Sequence, residues 1–323
     1  MGVYHRADAS FVDVKECLDM WPVFSFPALE CMEYPQIDSA GLRCEVSDVD
    51  AIIRKSQGCR AAVRVLMTSA SRGCDATLLR LLPSLGLVVS HGAGRDRIDS
   101  AALAARGIRL RCIAEAATED VADHAMALTL MLFRNLPRAQ DFVRSGGWGK
   151  GRFELSDSLS GACMGIAGLS GRIGQALAQR ARAAGMTLAG LDRASNQDLG
   201  VPLFPDWKAL ARASDVLVLA VPGTPDLEGI VDAPVLDALG PRGRLVNVGR
   251  GTLVDTKTLI KALHEGRIAG AALDVLDTEP YVPAPLAAAP NLILTPHMAA
   301  QTRGHRGRAA RIAEREILDF LAG

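Results

Sequence analysis

From about position 63 onward, apolar runs of four or five residues alternate with stretches whose apolar positions recur every three or four residues. Short apolar runs between turn residues mark strands buried on both faces, and their alternation with amphipathic helices marks a parallel sheet. The runs predict strands over 63–67, 87–90, 163–167, 187–191, 216–220, 245–248, 271–275 and 292–295. Between them, Ile173, Ala176, Leu177, Ala181 and Ala184 share one face of a helix over 172–184, which Gly185 closes. Apolar helices are also predicted over 120–134 and 308–321. Pro137 and the glycines of 145–151 read as a loop that breaks the pattern. Pro22, Pro27 and Pro35 break any long element in the first 60 residues. The expected class is α/β.

A strand that ends in glycines and runs into a helix aims backbone N–H groups and the helix dipole at a pyrophosphate. The segment Gly168-Leu169-Ser170-Gly171-Arg172-Ile173-Gly174 has that context, and its glycines leave room for the phosphates. Its spacing is G-x-x-G-x-x-G, because Ser170 is an extra residue in the usual G-x-G-x-x-G, and the longer turn is expected to move the pyrophosphate. Asp192 follows Gly174 by 18 residues, at the end of the next predicted strand. A carboxylate there accepts hydrogen bonds from ribose hydroxyls and repels a 2′-phosphate, which favours NAD. Arg193 and Ser195 suit a 2′-phosphate, so NADP is the alternative. Val221 and Pro222, just past one further strand, and Val248, the last residue of another, complete the set expected near the cofactor.

Three chemical groups then arrive in order past apolar runs: Arg250, Glu279 and His297, with Asp274 between the first two. Reducing a 2-keto acid needs a cation for the carboxylate, a proton donor for the ketone oxygen, and a carboxylate beside the donor. The segment from Asn247 through Gly249-Arg250-Gly251 to Asp255 resembles the arginine signature of the D-isomer-specific 2-hydroxyacid dehydrogenases. Leu273-Asp274-Val275 with Glu279-Pro280, and Thr295-Pro296-His297, resemble the family's other two signatures. Gly92-Ala93-Gly94, Val121-Ala122-Asp123-His124-Ala125 and Gly147-Trp148 are similar to further family positions. Within the family the likeness is to hydroxypyruvate and glyoxylate reductases.

The resemblance implies two domains: a Rossmann-type dinucleotide domain (113–297) inserted in a flavodoxin-like substrate domain (1–112, completed by 298–323). It implies that Arg250 holds the substrate, His297 exchanges the proton, Glu279 pairs with His297, and Asp274 contacts the nicotinamide carboxamide. Main-chain amides at Ser69, Ala70 and Gly94 are the further substrate-binding candidates. The family also implies a homodimer, for which the apolar helix over 121–133 is a candidate interface. A nucleotide-sensing protein on the same scaffold is the competing class, and the intact trio argues for the enzyme.

Composition narrows the alternatives. Lys plus Arg and Asp plus Glu number 36 each, so no net field draws nucleic acid or a membrane surface. Apolar residues at 49% and charged residues at 22% are globular values, and no run reaches the roughly 20 residues of a membrane span. The start of the chain lacks a signal-peptide core. Seven cysteines, odd in number and without a CxxC pair, argue against disulfides and structural zinc, and fit a cytoplasmic protein without a metal. Of the histidines, His5 and His305 are expected to be exposed and His124 and His264 structural, while His91, before the Gly92-Ala93-Gly94 loop, is a candidate lining of the substrate site.

Overall fold

The computed structural model describes residues 21–27, 32–95 and 97–323; His5, Cys17 and Cys31 lie outside them. The chain forms two compact units, one from the described part of Met1–Ala117 with Arg303–Gly323, the other Thr118–Thr302. Each is built on a wholly parallel sheet.

The first unit holds β1 (Val23–Ser25), β2 (Arg43–Glu45), β3 (Val65–Ser69), β4 (Leu87–His91) and β5 (Arg109–Cys112), in the order β2-β1-β3-β4-β5. This is the flavodoxin-like order. The closing helix, Arg303–Ala322, lays Ala309, Ala310, Ala313 and Ile317 on one side of the sheet, against Val65, Met67, Leu87 and Val89. Their spacing of three or four residues is that of one helix face. His305 lies in this helix and is buried, not exposed as its sequence context suggested.

The second unit holds β6 (Cys163–Ala167), β7 (Thr187–Leu191), β8 (Leu203–Phe204), β9 (Val216–Leu219), β10 (Arg244–Asn247), β11 (Gly270–Leu273) and β12 (Leu292–Leu294). Their order is β12-β11-β10-β9-β6-β7-β8. Read from β8 inward this is the Rossmann order 3-2-1-4-5-6 with a seventh strand added, and its direction of growth reverses between β6 and β9. Leu217, Leu219 and Leu245 are fully buried, and each contributes about 1.5–3 kcal/mol by leaving water. Helices start where an aspartate can cap them: Asp75, Asp206, Asp232 and Asp255 each accept the N–H three residues on.

One further expectation needs correction. Pro137 does not lie in a loop; it sits in the first turn of a helix, Leu136–Arg144, where its missing N–H costs nothing. The apolar helix at Thr118–Phe133 buries Val121, Ala122, Ala125, Leu128, Leu132 and Phe133 and leaves Leu130 exposed. More open apolar surface lies just beyond it. The Leu136–Arg144 helix buries none of its residues, and Leu136, Val143, Trp148 and Leu155 are exposed.

Candidate active site

Pairing register places the candidate residues of the second unit along one edge of its sheet. Leu294, Leu273, Asn247, Leu219 and Ala167 are successive partners across β12, β11, β10, β9 and β6, and form one row near the carboxyl ends. Thr295, Asp274, Val248, Ala220 and Gly168 are the residues that follow this row. Arg250 and His297 each stand three positions past it, on turns that leave β10 and β12. Parallel strands bring such distant residues together because every strand exits at the same end.

The turns interlock through backbone. Asn247 is fully buried; its Oδ1 accepts the Gly249 N–H at 3.0 Å and its Nδ2 donates to the Arg250 carbonyl at 2.8 Å, which shapes the arginine turn. A Cβ on Gly251 would lie 1.9 Å from the Leu276 carbonyl carbon, so only glycine lets this turn pack on the segment leading to Glu279. Glu279 Oε1 accepts the Leu276 N–H at 2.8 Å, and its Oε2 lies 2.8 Å from His297 Nδ1. The carboxylate is thereby fixed before it meets the ring. With Nδ1 directed at a carboxylate, Nε2 is the atom left to exchange a proton. The pair is accessible, with 54% of the His297 side chain and 36% of that of Glu279 open.

Asp274 anchors the turn that follows β12. Its side chain is 1% exposed, and its oxygens accept bonds from its own unit: Thr295 Oγ1 at 2.5 Å and Met298 N–H at 2.9 Å on Oδ1, Ala299 N–H at 3.0 Å on Oδ2. His124 Nε2 is 3.3 Å from Oδ1. Burial alone would raise this carboxyl, but the contacts with His124, Thr295 and the two amides outweigh it and hold the pKa at about 2. So enclosed a carboxylate holds the 295–299 turn in place. Asn247, Gly251, Thr295 and His124 stand in the motifs read from the sequence, but sequence reasoning gave them no part in shaping the site. His124 stands in a motif noted for its family likeness, but nothing in the sequence pairs it with Asp274.

The glycine turn fits a dinucleotide. Gly168 has φ +94°, and a Cβ there would lie 2.6 Å from the Ala220 carbonyl oxygen; on Gly174 it would lie 2.1 Å from the Gly168 oxygen. These two glycines bring strand, turn and helix into contact. The extra Ser170 is absorbed in a tight turn closed by Gly171 N–H on the Gly168 carbonyl at 2.9 Å, and Gly171 becomes the N-cap of the Arg172–Ala183 helix. The first-turn amides of that helix, Arg172 and Ile173 among them, face outward from its N-terminus. Ser170 Oγ also donates to Ser195 Oγ at 2.8 Å, tying the turn to the segment after β7. There Asp192 is exposed and accepts from Gln197 Nε2 at 2.5 Å, while Arg193 donates to the Asp192 carbonyl at 3.3 Å. Val221 and Pro222 follow β9 at the switch point, beside the glycine turn.

In the first unit, Ser69 ends β3 and Ala70 follows it in a turn closed by Gly73 N–H on the Ser69 carbonyl at 2.8 Å. Gly94 follows β4 and is buried. His91, at the end of β4, has its Nε2 2.9 Å from the hydroxyl of Tyr34 beside a cavity of about 80 Å³ that Ser69 and Arg72 also line. Burial, with the charge of His305 adding to it, pushes the His91 pKa down to about 4. Cys74 is no nucleophile, since burial pushes its thiol up to about 12.

Comparison with known proteins places the chain in one family and fold. A family model described as D-isomer specific 2-hydroxyacid dehydrogenase, NAD binding domain, matches residues 126–299. Glyoxylate/hydroxypyruvate reductase A of Arabidopsis thaliana is 44% identical over 243 residues, covering 75% of this chain and 77% of that one. Glyoxylate reductase of Pyrococcus furiosus is 37% identical over 271 residues, covering 81% and 80%. Among solved structures, an NADPH-dependent glyoxylate/hydroxypyruvate reductase from Sinorhizobium meliloti in complex with citrate matches with a TM-score of 0.81 at 35% identity, over 91% of this chain and 92% of that one. The same reductase with NADP and malonate gives a TM-score of 0.78 at 36% identity, over 91% of each chain.

Proposed function

The chain belongs to the D-isomer-specific 2-hydroxyacid dehydrogenases, and from that premise we propose that it reduces a small 2-keto acid of the glyoxylate or hydroxypyruvate class to the D-2-hydroxy acid. The observation that carries the reading is the Glu279–His297 pair, fixed at 2.8 Å on the sheet edge that also bears Arg250. A reduced nicotinamide, when bound, supplies the hydride for C2. The guanidinium of Arg250 binds the substrate carboxylate and the ketone oxygen, and orients C2. His297 gives its Nε2 proton to that oxygen as charge develops there, and Glu279 supports the ring from behind through Nδ1. In the oxidative direction the same nitrogen takes the proton back.

Gly168, Ser170, Gly171, Arg172, Ile173 and Gly174 would hold the pyrophosphate, and Asp192 the adenosine ribose. A carboxylate at that position supports NAD over NADP, although the Sinorhizobium relative is described as NADPH-dependent. The exposed apolar residues Leu136, Val143, Trp148 and Leu155 support assembly with a second copy, and the scattered cysteines support a cytoplasmic setting. The test is to mix the protein with NADH or NADPH and with glyoxylate or hydroxypyruvate, and to follow absorbance at 340 nm. We expect loss of absorbance, faster with NADH; no loss with any 2-keto acid would oppose the proposal.

A further inference from the structure

We propose that His124, on the Thr118–Phe133 helix, is a positioning residue that aims His297 by donating from Nε2 to Thr295 and Asp274. This rests on His297 being the proton donor of the reaction proposed above.

Hydrogen-bond arithmetic fixes the direction of each contact. The Thr295 hydroxyl has one proton, and its 2.5 Å contact with Asp274 Oδ1 takes it. At the 3.1 Å contact between His124 Nε2 and Thr295 Oγ1, the hydroxyl oxygen can therefore only accept. Asp274 Oδ1, 3.3 Å from the same nitrogen, is an ionised acceptor as well. Both neighbours demand a proton on Nε2, which assigns the tautomer of a neutral ring.

The turn that receives this bond carries strain. His297 has φ +50°, a left-handed conformation that costs a residue with a Cβ about 1–2 kcal/mol. Such a conformation persists where its surroundings over-determine it. Here the His297 N–H is held by the Asp274 carbonyl at 2.8 Å, and the next two amides by the Asp274 carboxylate. All of these bonds join β11 to the turn after β12. His124 adds a tie to a helix, 171 residues away in sequence from Thr295, and meets the same carboxylate oxygen as Thr295 and Met298. Releasing it lets Thr295 and Asp274 shift together, and with them the ring two residues on. A displacement near 1 Å at a reacting group costs on the order of 10²-fold in rate.

The experiment compares His124→Leu, His124→Gln, Thr295→Val and the double variant His124→Leu/Thr295→Val with wild type and with His297→Asn. Glyoxylate kinetics, NADH binding by fluorescence and thermal unfolding are read for each. His124→Leu is expected to lose about tenfold or more in kcat, with KM and the NADH Kd within about twofold. Glutamine, whose amide nitrogen reaches the place of Nε2, recovers most of that loss. The double variant is no slower than His124→Leu alone, because both changes cut one link. A folded His124→Leu protein with wild-type kcat overturns the inference, as does a fall in kcat matched by losses in KM and NADH binding, or a glutamine variant as slow as leucine. If His124→Leu does not fold, Thr295→Val and His124→Gln decide: full activity in a folded Thr295→Val overturns the role, and a slow Thr295→Val beside an active His124→Gln supports it. An active His297→Asn sinks the underlying reading. An inactive His297→Asn beside an unaffected His124→Leu sinks this inference alone.

Discussion

Two turns leave the same row of the second sheet and are built in opposite ways. The 295–299 turn, after β12, is held by a buried carboxylate whose two oxygens collect hydrogen bonds from a hydroxyl and two amides, with an imidazole alongside. The 168–171 turn, after β6, is held by close backbone approach, where side chains would not fit at Gly168 and Gly174. The first must orient a side chain that comes from the protein, so it is fastened with polar contacts. The second must receive a charged ligand, so glycines keep it bare at Gly168, Gly171 and Gly174 and it leaves helix amides facing outward. Strand ends of one sheet thus solve two tasks, aiming and receiving, with different chemistry.

The comparison can be broken from either side. Asp274→Leu should have the largest effect on folding, since it strands several donors in a buried place; we expect a loss of about 3–5 kcal/mol in a urea titration. Stability equal to wild type would mean that the carboxylate does not hold the turn. Gly174→Ala comes next, because its Cβ would meet a backbone oxygen at 2.1 Å; a cost of about 1–3 kcal/mol is expected, together with weaker NADH binding. Acid should release the polar turn by a comparable amount. Asp274 has a lowered pKa of about 2 against an ordinary 3.8, so its contribution of about 2 kcal/mol is fully present above pH 3.8 and fades as pH falls through 2. Denaturation curves between pH 2 and 5 should show that loss in the wild type and not in an Asp274→Asn variant that folds. Gly171→Ala should do least: its φ is −69° and the nearest atom to a Cβ is 3.1 Å away, so stability should change by less than about 1 kcal/mol. A strong loss of nucleotide affinity without loss of stability in that variant would place the pyrophosphate directly over Gly171.

Much of this was legible in the chain. The strands of the second sheet stand out because burial on both faces makes them continuous apolar runs, as in Val216–Leu219 and Gly270–Leu273. Arg250 and His297 were readable because each stands three residues past such a run, and Glu279 because it follows a third. What escaped was short, charged or long-range. β1 has three residues, β2 and β5 are edge strands that carry Arg43, Arg109 and Arg111, and β8 has two residues. Charges on an edge hide the strand pattern while protecting the edge from further pairing. Pro137 misled because proline breaks a helix interior but suits its first turn. The contacts of Asp274 were not readable because a strand-end carboxylate looks the same in sequence whatever surrounds it. Only the fold places Thr295, Met298, Ala299 and His124 around it.

The central claim is that the ring of His297, backed by Glu279, delivers the proton to a ketone oxygen. Its most direct test is single-turnover oxidation of bound NADH by glyoxylate in His297→Asn, with NADH affinity measured on the same sample. The account predicts unchanged NADH affinity and a rate lower by about 10²–10⁴-fold. A rate equal to wild type, with NADH bound equally well, would contradict it.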